Sequence, residues 1–442
     1  MASEVQWFQK PLGEVTFNHD GKRKPVKESE RRKGPYPYYG ASGIVDHVDG
    51  YLFEGRYLLI AEDGENLRTR QTPIAFMADG KFWVNNHAHI VTGNGEVMTE
   101  YLQYFLQNAD IQPYLTGAVM PKLTQGNLNR IPISYPDSKY QNSIIQVLGS
   151  LDKKINLNRR INQTLEAMAQ AIFKSWFVDF DPVKAKITAI QEGRDPLRAA
   201  MSAISGKLEA ELDSLPPEQY EQLIATAALF PDEMDASALG EIPKAWAFQA
   251  ANSLTEVGIG KTPPRKEPQW FTEGEGDWRW VSIKDMGANG VFQQRSSEFL
   301  TSEAVSRFNV RVVPDRTVLL SFKLTIGRVA ISDGPMVTNE AIAHFKLPND
   351  AAISSEYLYL YLKGFDYSTL GSTSSIADAV NSKTIREMPI ILANRDIMDI
   401  FSKIITPLFD EIRNRQNEIS SLSATRDALL PKLLSGEIEV PA

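Results

Sequence analysis

Apolar residues recur every three or four positions along two long stretches of the chain. In the first, Ile144, Leu148, Leu151, Ile155, Ile161, Leu165, Met168, Ile172 and Trp176 keep that step except for one six-residue gap. Only Gly149 interrupts as a helix-weakening residue, so the spacing predicts one helix of about 40 residues, roughly 60 Å long at about 1.5 Å per residue. Asn158 and Asn162 fall in the gap, where a helix–helix seam would carry apolar groups; a polar residue there costs stability and fixes register. Asp181-Pro182 is read as the end of this helix. The second stretch starts near Arg395 and carries Ile400, Ile404, Leu408, Ile412, Ile419, Leu422, Leu429 and Leu433, with Gly436 as its stop.

Outside these stretches the pattern shortens. Tyr51-Leu52-Phe53 and Arg56–Ala61 are β-prone and bounded by Gly50, Gly55 and Gly64, and Phe82-Trp83-Val84 is a further strand. Thr99–Ala109 reads as a helix with Tyr101, Leu102, Phe105 and Leu106 on one face. Val318–Ser321 and Arg328–Ser332 read as strands around Gly327. The pattern also repeats. Tyr101-Leu102-Gln103-Tyr104-Phe105-Leu106 returns as Tyr357-Leu358-Tyr359-Leu360-Tyr361-Leu362. Leu128–Ile133 returns 257 positions later as Ile385–Ile390, with Val119 and Leu123 matching Ile376 and Val380 in the same frame. A duplication on this scale decides the architecture. The expected fold is α+β, with two mixed α/β domains in a duplicated, pseudo-twofold arrangement. Two long antiparallel helices forming a coiled-coil rod separate them, because each apolar stripe is too long to hide on its own domain. The expected boundaries are 1–137 and 239–392 for the domains, 138–182 and 393–442 for the helices (the latter with the C-terminal tail), and 183–238 for a charged, partly helical connector. The repeats match by residue class more than by identity, so the two domains are expected to bind different targets.

Composition then narrows the setting. The 442 residues include no cysteine, which excludes disulfides and thiolate metal sites and suits a reducing compartment. No apolar run reaches the roughly 20 residues of a membrane span, and Met1–Lys10 lacks a signal-peptide core, so a cytoplasmic protein without membrane contact is expected. The net charge of −8 argues mildly against a polyanionic partner. Its distribution weakens that objection. Lys22-Arg23-Lys24, Lys27 and Arg31-Arg32-Lys33 cluster near the N-terminus, while Glu209 to Glu241 is strongly acidic. A ligand meets the local field rather than the total charge.

Catalytic patterns are missing. Gly260-Lys261-Thr262 resembles the end of a phosphate loop, but Thr255 stands where the first glycine belongs, and Pro263-Pro264 would break the helix that must follow. His87 and His89 share a strand face without the HExxH spacing of a metal site, and a surface or nucleic-acid-facing role suits them better. No nucleophile elbow, amino-methyltransferase box or nuclease carboxylate cluster is present. The chain is read as non-catalytic, with no metal site and no cofactor of its own.

The polar residues suit a duplex. Lys22, Arg23, Lys24, Lys27, Arg31, Arg32 and Lys33 precede Gly34–Gly43, read as an exposed loop whose Tyr36, Tyr38, Tyr39 and Ser42 could reach phosphates or base edges. Asn85-Asn86-His87 and Asn339-Glu340 follow a strand in corresponding places, and asparagine can pair with adenine, although it is also a common turn residue. In the second half Lys261, Arg265, Lys266, Lys284, Lys323 and Arg328 are candidate phosphate contacts, with Asn339, Ser374 and Asn381 as hydrogen-bonding groups. Phe173, Trp176 and Phe177 close the first helix, either as core or as a docking patch for a partner subunit.

Several stretches carry a family resemblance. They are Gly34-Pro35-Tyr36-Pro37-Tyr38-Tyr39-Gly40-Ala41-Ser42-Gly43-Ile44, Leu59–Gly64, Ile161–Ala169, Ile172–Phe177, Leu239–Pro243 and Leu430–Gly436. With them the chain resembles the DNA-specificity (S) subunit of type I restriction–modification systems over nearly its whole length. The resemblance implies a sequence-specific reader of double-stranded DNA with two recognition domains, each taking half of an interrupted target. It also implies two modification (methyltransferase) subunits as partners, with restriction subunits in the full complex. S-adenosylmethionine would then sit in the methyltransferase, and ATP and Mg in the restriction subunit. Two other classes are a coiled-coil adapter without DNA specificity and a stand-alone restriction–methylation enzyme.

Overall fold

The two apolar stretches form helices Ser138–Phe177 and Arg395–Ser435, of 40 and 41 residues. The computed structural model describes residues 5–272, 274, 276–288, 290–370 and 380–440. The chain divides into two units, Met1–Asn156 with Ile419–Ala442, and Leu157–Glu418, so each long helix contributes one half to each unit.

In the first unit a six-stranded sheet takes the order Thr16–Asn18, Ala88–Gly93, Phe53–Ala61, Ala75–Val84, Lys33–Gly40, Gly43–Val48. Helix Thr99–Asn108 buries Tyr101, Leu102 and Leu106 in one core with Leu58, Ile60 and Val91 of the sheet. Ile144 and Leu148 of one long helix, and Leu430, Leu433 and Leu434 of the other, complete that core. The helices run antiparallel here: Tyr140 donates its hydroxyl to Ile438 O at 3.0 Å, and Arg426 Nη1 lies 2.8 Å from Asp152. Trp7–Pro11 pairs with Pro132–Pro136, closing the domain just before the helix begins.

The second unit repeats this plan with more sheet. Its five-stranded sheet runs Glu256–Ile259, Ile342–Lys346, Val318–Ser321, Val329–Ser332, Phe292–Gln293, and a four-stranded sheet holds Phe271–Thr272, Glu298–Leu300, Trp278–Val281 and Val337–Thr338. Ala247–Ala250 pairs with Pro389–Leu392 as Trp7–Pro11 does with Pro132–Pro136. The duplication reaches single hydroxyls. Thr16 Oγ1 donates to Leu12 O at 2.8 Å, and Thr255 Oγ1 to Ala251 O at 2.9 Å.

The seam asparagines have partners on the opposing helix. Asn158 is fully buried, donates from Nδ2 to Glu418 at 2.8 Å and accepts at Oδ1 from Arg415 Nη1 at 2.9 Å. Asn162 Nδ2 points at Ile412 O, 3.4 Å away. Asn158→Leu would remove the buried hydrogen bonds that Glu418 and Arg415 make to this side chain, so a loss of about 1–3 kcal/mol is expected in denaturant titration. A midpoint equal to or above that of the unaltered protein would contradict this account.

One choice between two readings is settled and two sequence expectations change. The aromatics Phe173, Trp176 and Phe177 are 4%, 2% and 2% exposed. Ring centroids lie 5.0 Å from Trp176 to Phe230, 4.9 Å from Phe177 to Phe401 and 5.3 Å from Phe173 to Tyr357. They are the core of the second unit and not a docking patch. Asp181-Pro182 starts a helix instead of ending one. The break is at Phe180, held at φ 57°, and Pro182 sits in the first turn of Asp181–Gln191, where its missing N–H costs nothing. With Pro196–Ser205 and Pro217–Leu229 the connector has its own small core of Ala200, Met201, Leu212 and Ala227. The third is Gly34–Gly43, which is mostly the strand Lys33–Gly40 of a hairpin. Pro35 is tolerated because the pairing shifts register between Lys33 and Tyr36. Gly34 is required there, since a Cβ would lie 2.3 Å from the Asp49 backbone. Among the described residues no helix is long and apolar enough to cross a membrane.

Candidate nucleic-acid interface

A buried polar knot organises one end of the first unit's sheet, where Phe53–Ala61 finishes and Ala88–Gly93 begins. His89 is 1% exposed, with Nδ1 2.5 Å from Asp20 Oδ2 and Nε2 2.7 Å from Leu123 O. Asp20 also accepts from Ile90 N at 2.8 Å and lies 3.3 Å from Arg23 Nη2. Arg23 Nη1 reaches Glu62 at 2.6 Å and Ala88 O at 2.9 Å, and Lys122 reaches Glu62 at 3.2 Å. Burial pushes the Asp20 carboxyl up, but hydrogen bonds from His89 and Ile90 with the nearby charges outweigh it and hold it below the usual carboxylate range. Glu62 is likewise pushed up by burial and drawn down further by Arg23, His89 and Lys122.

The knot fixes the turns that present exposed groups. Lys22 and Lys24 flank Arg23 and are exposed, as are Asn86 and His87, whose Nδ1 lies 2.8 Å from Asp63. The hairpin tip with exposed Ser42 sits beside them, because Asn85 N donates to Tyr39 O at 3.0 Å. Lys27, Arg32 and Lys33 are exposed along the same segment. Cations there suit phosphates, and Ser42, Asn86 and His87 suit phosphates or base edges.

The rest of the first unit's predicted residues are occupied within the protein. Arg23 belongs to the knot. Arg31 lies 3.2 Å from Asp46 and 4.5 Å over the Tyr38 ring. Tyr38 is 1% exposed, and its hydroxyl accepts from Val26 N at 3.0 Å, so it cannot reach a duplex. Tyr39 packs on Phe76 and Phe82, with its phenol pKa raised by burial and by Asp79. Tyr36 is half-buried against Tyr51. Asn85 is 8% exposed, and its Oδ1 accepts from His87 N at 2.8 Å, which makes it the builder of the turn. His89 is core, contrary to the surface role expected for it.

The second unit repeats the turn at the corresponding end of its sheet, where Val318–Ser321 finishes and Ile342–Lys346 begins. Asn339 N donates to Val281 O at 3.0 Å, and Asn339 Oδ1 accepts from Ala341 N at 3.1 Å, as Asn85 does for its own turn. Lys261 N donates to Thr338 O at 2.9 Å, and Gly260 packs so closely that a Cβ would lie 2.1 Å from Asn339 O. Lys261, Lys266, Lys284 and Lys323 are exposed. Arg265 is engaged by Glu298 at 2.5 and 2.9 Å and stacks 4.5 Å over Trp280. Arg328 Nη1 donates to Ile283 O at 2.6 Å. Asn381 caps helix Ser382–Arg386 through Lys383 N at 2.9 Å and Thr384 N at 3.2 Å, a structural role. Ser374 and Ile376 lie outside the described residues.

Sequence reasoning missed the apolar groups at these ends: Ile44 and Val45 beside the hairpin tip, Val119 and Met120 in the turn before Lys122, and Leu324. Only a search for apolar residues inside polar, glycine-flanked turns could have found them. Among the described residues no cluster of histidines and carboxylates could hold a metal ion.

Comparisons with known proteins fit this geometry. The family profile described as "Type I restriction modification DNA specificity domain" matches residues 4–167 and 243–421. The chain is 32% identical over 405 residues to the type I restriction enzyme HindI specificity subunit of Haemophilus influenzae, covering 87% of this chain and 84% of that one. It is 24% identical over 457 residues to the MjaIX specificity subunit of Methanocaldococcus jannaschii, covering 98% and 92%. In fold it is similar to the type I restriction–modification S subunit from M. genitalium, with a TM-score of 0.54 at 14% identity over 98% of this chain and 97% of that one. The chain therefore belongs to the DNA-specificity subunits of type I restriction–modification systems.

Proposed function

We propose that this specificity subunit reads a bipartite, interrupted DNA target, one half with each unit, and positions methyltransferase and restriction subunits on it. The carrying observation is that both units bring exposed lysines and an asparagine-built turn to the corresponding end of the sheet. Two similar surfaces on differing loops suit two different half-sites. S-adenosylmethionine serves the modification subunits and ATP with Mg the restriction subunits; this chain contributes recognition. Methylation-sensitive sequencing of a strain carrying the locus is expected to reveal an interrupted motif, whereas a continuous motif, or none, would overturn the reading. In this reading the gap between the half-sites depends on the length of the two long helices, each of which contributes to both units. Removing seven residues from each shortens them by about 10 Å, so the gap is expected to shrink by about 3 base pairs at about 3.4 Å each. The half-motifs should stay as they were.

A further inference from the structure

The hairpin between Val318–Ser321 and Val329–Ser332 carries an anomaly at its tip. Leu324 is 95% exposed and has φ 62°, a backbone conformation that costs a leucine strain. Thr325 N donates across it to Lys323 O at 2.7 Å, a γ-turn with positive φ, which is a rare and strained form. The surrounding chain enforces it. Ser321 Oγ donates to Thr325 O at 2.6 Å and accepts from Arg328 N at 3.0 Å, while Gly327 N donates to Ser321 O at 3.0 Å. A wired turn that spends strain to hold a leucine in water does nothing for folding. Strain that persists because its surroundings over-determine it points to a function.

Position supplies the ligand. Phe322 N donates to Ala341 O at 2.9 Å, so this tip adjoins the Asn339 turn, and exposed Lys323, Lys261 and Lys284 flank the same end of the sheet. A lone leucine among lysines is far smaller than the apolar area a protein partner needs. One side chain is enough to touch a thymine methyl or to wedge between two bases. The first unit has its own version. Val119 is 95% and Met120 62% exposed in a turn closed by Thr116–Lys122 hydrogen bonds of 2.8 and 2.7 Å and by Arg68 donating to Gly117 O at 3.0 Å.

We propose that Leu324 is an apolar finger that enters a groove of the target duplex and contacts a base, with Val119 and Met120 doing the same for the other half-site. This rests on the DNA-reading function proposed above. The test is fluorescence anisotropy of the full chain, co-purified with its modification subunit, on a duplex carrying the motif and on a scrambled duplex of equal length. Leu324→Ala is expected to weaken binding to the motif about 10- to 100-fold and to leave the scrambled duplex unchanged. Leu324→Met should remain within about threefold of the unaltered protein. Leu324→Asn, whose side chain tolerates positive φ, should lose motif binding while raising the thermal midpoint by about 1–3 °C. Unchanged motif binding by Leu324→Ala, equal losses on both duplexes, or loss of the modification subunit alone would each overturn the finger. Failure of the unaltered complex to distinguish the two duplexes would instead overturn the DNA-reading function beneath it.

Discussion

Trp176→Ala is expected to cost the second unit about 3–5 kcal/mol, the range for truncating a large buried aromatic side chain. Trp176 is 2% exposed and meets Phe230 edge-on at 5.0 Å, with Phe401 at 5.8 Å and Phe177 at 6.3 Å. Its neighbours in this cluster come from the connector, from helix Ser355–Gly364 and from the second long helix, so a cavity here loosens several elements together. Urea unfolding followed by far-ultraviolet circular dichroism measures the loss. Had these aromatics formed a docking patch, the variant would unfold at the midpoint of the unaltered protein and fail only to assemble with its partners. That outcome would sink the core assignment. If Trp176→Ala does not fold at all, Trp176→Phe, which leaves a smaller cavity, should show a reduced but measurable loss.

The helices were legible because 40 residues give a periodic pattern many turns in which to repeat, and no competing element has that length. The duplication was legible through Tyr101–Leu106 and Tyr357–Leu362, whose burial is dictated by each domain separately. The short strands of the second unit were not. Phe271–Thr272 and Phe292–Gln293 have two residues each, too few to show any alternation. The site was legible as a region but not residue by residue. Sequence shows that Arg23, Arg31 and Arg265 are charged, but Glu62, Asp46 and Glu298 stand 39, 15 and 33 positions away, and only the fold brings each pair together. Each of these arginines is paired with a carboxylate, while Lys22, Lys24 and Lys261 stay exposed, as does Arg32. The pairing follows from chemistry, because the planar guanidinium with its five donors suits partly buried pairing better than a strongly hydrated ammonium. Leu324 escaped notice because an exposed leucine is ordinary in composition and becomes informative only with its φ.

Asp20→Ala is expected to destabilise the first unit by about 3–5 kcal/mol, since it removes the buried carboxylate that His89 Nδ1, Ile90 N and Arg23 share, leaving Arg23 with Glu62. Asp20 stands between His89 and Arg23 with a side chain 6% exposed, and its other oxygen holds Ile90 N. Its removal also frees the segment bearing Lys22 and Lys24, a movement Trp83 should report because its indole N–H donates to Lys24 O at 2.6 Å. The pH dependence has a definite sign. A carboxyl whose pKa is depressed by folding stabilises fully above its unfolded value and loses that contribution as pH falls through the folded one. The unaltered protein should therefore lose stability from about pH 5 downward, and Asp20→Ala should show a flatter acid limb. Parallel limbs for the two proteins would mean that Asp20 contributes no more than an ordinary surface carboxylate. In that case the basic segment beside the Asn85 turn would be held by something other than this knot.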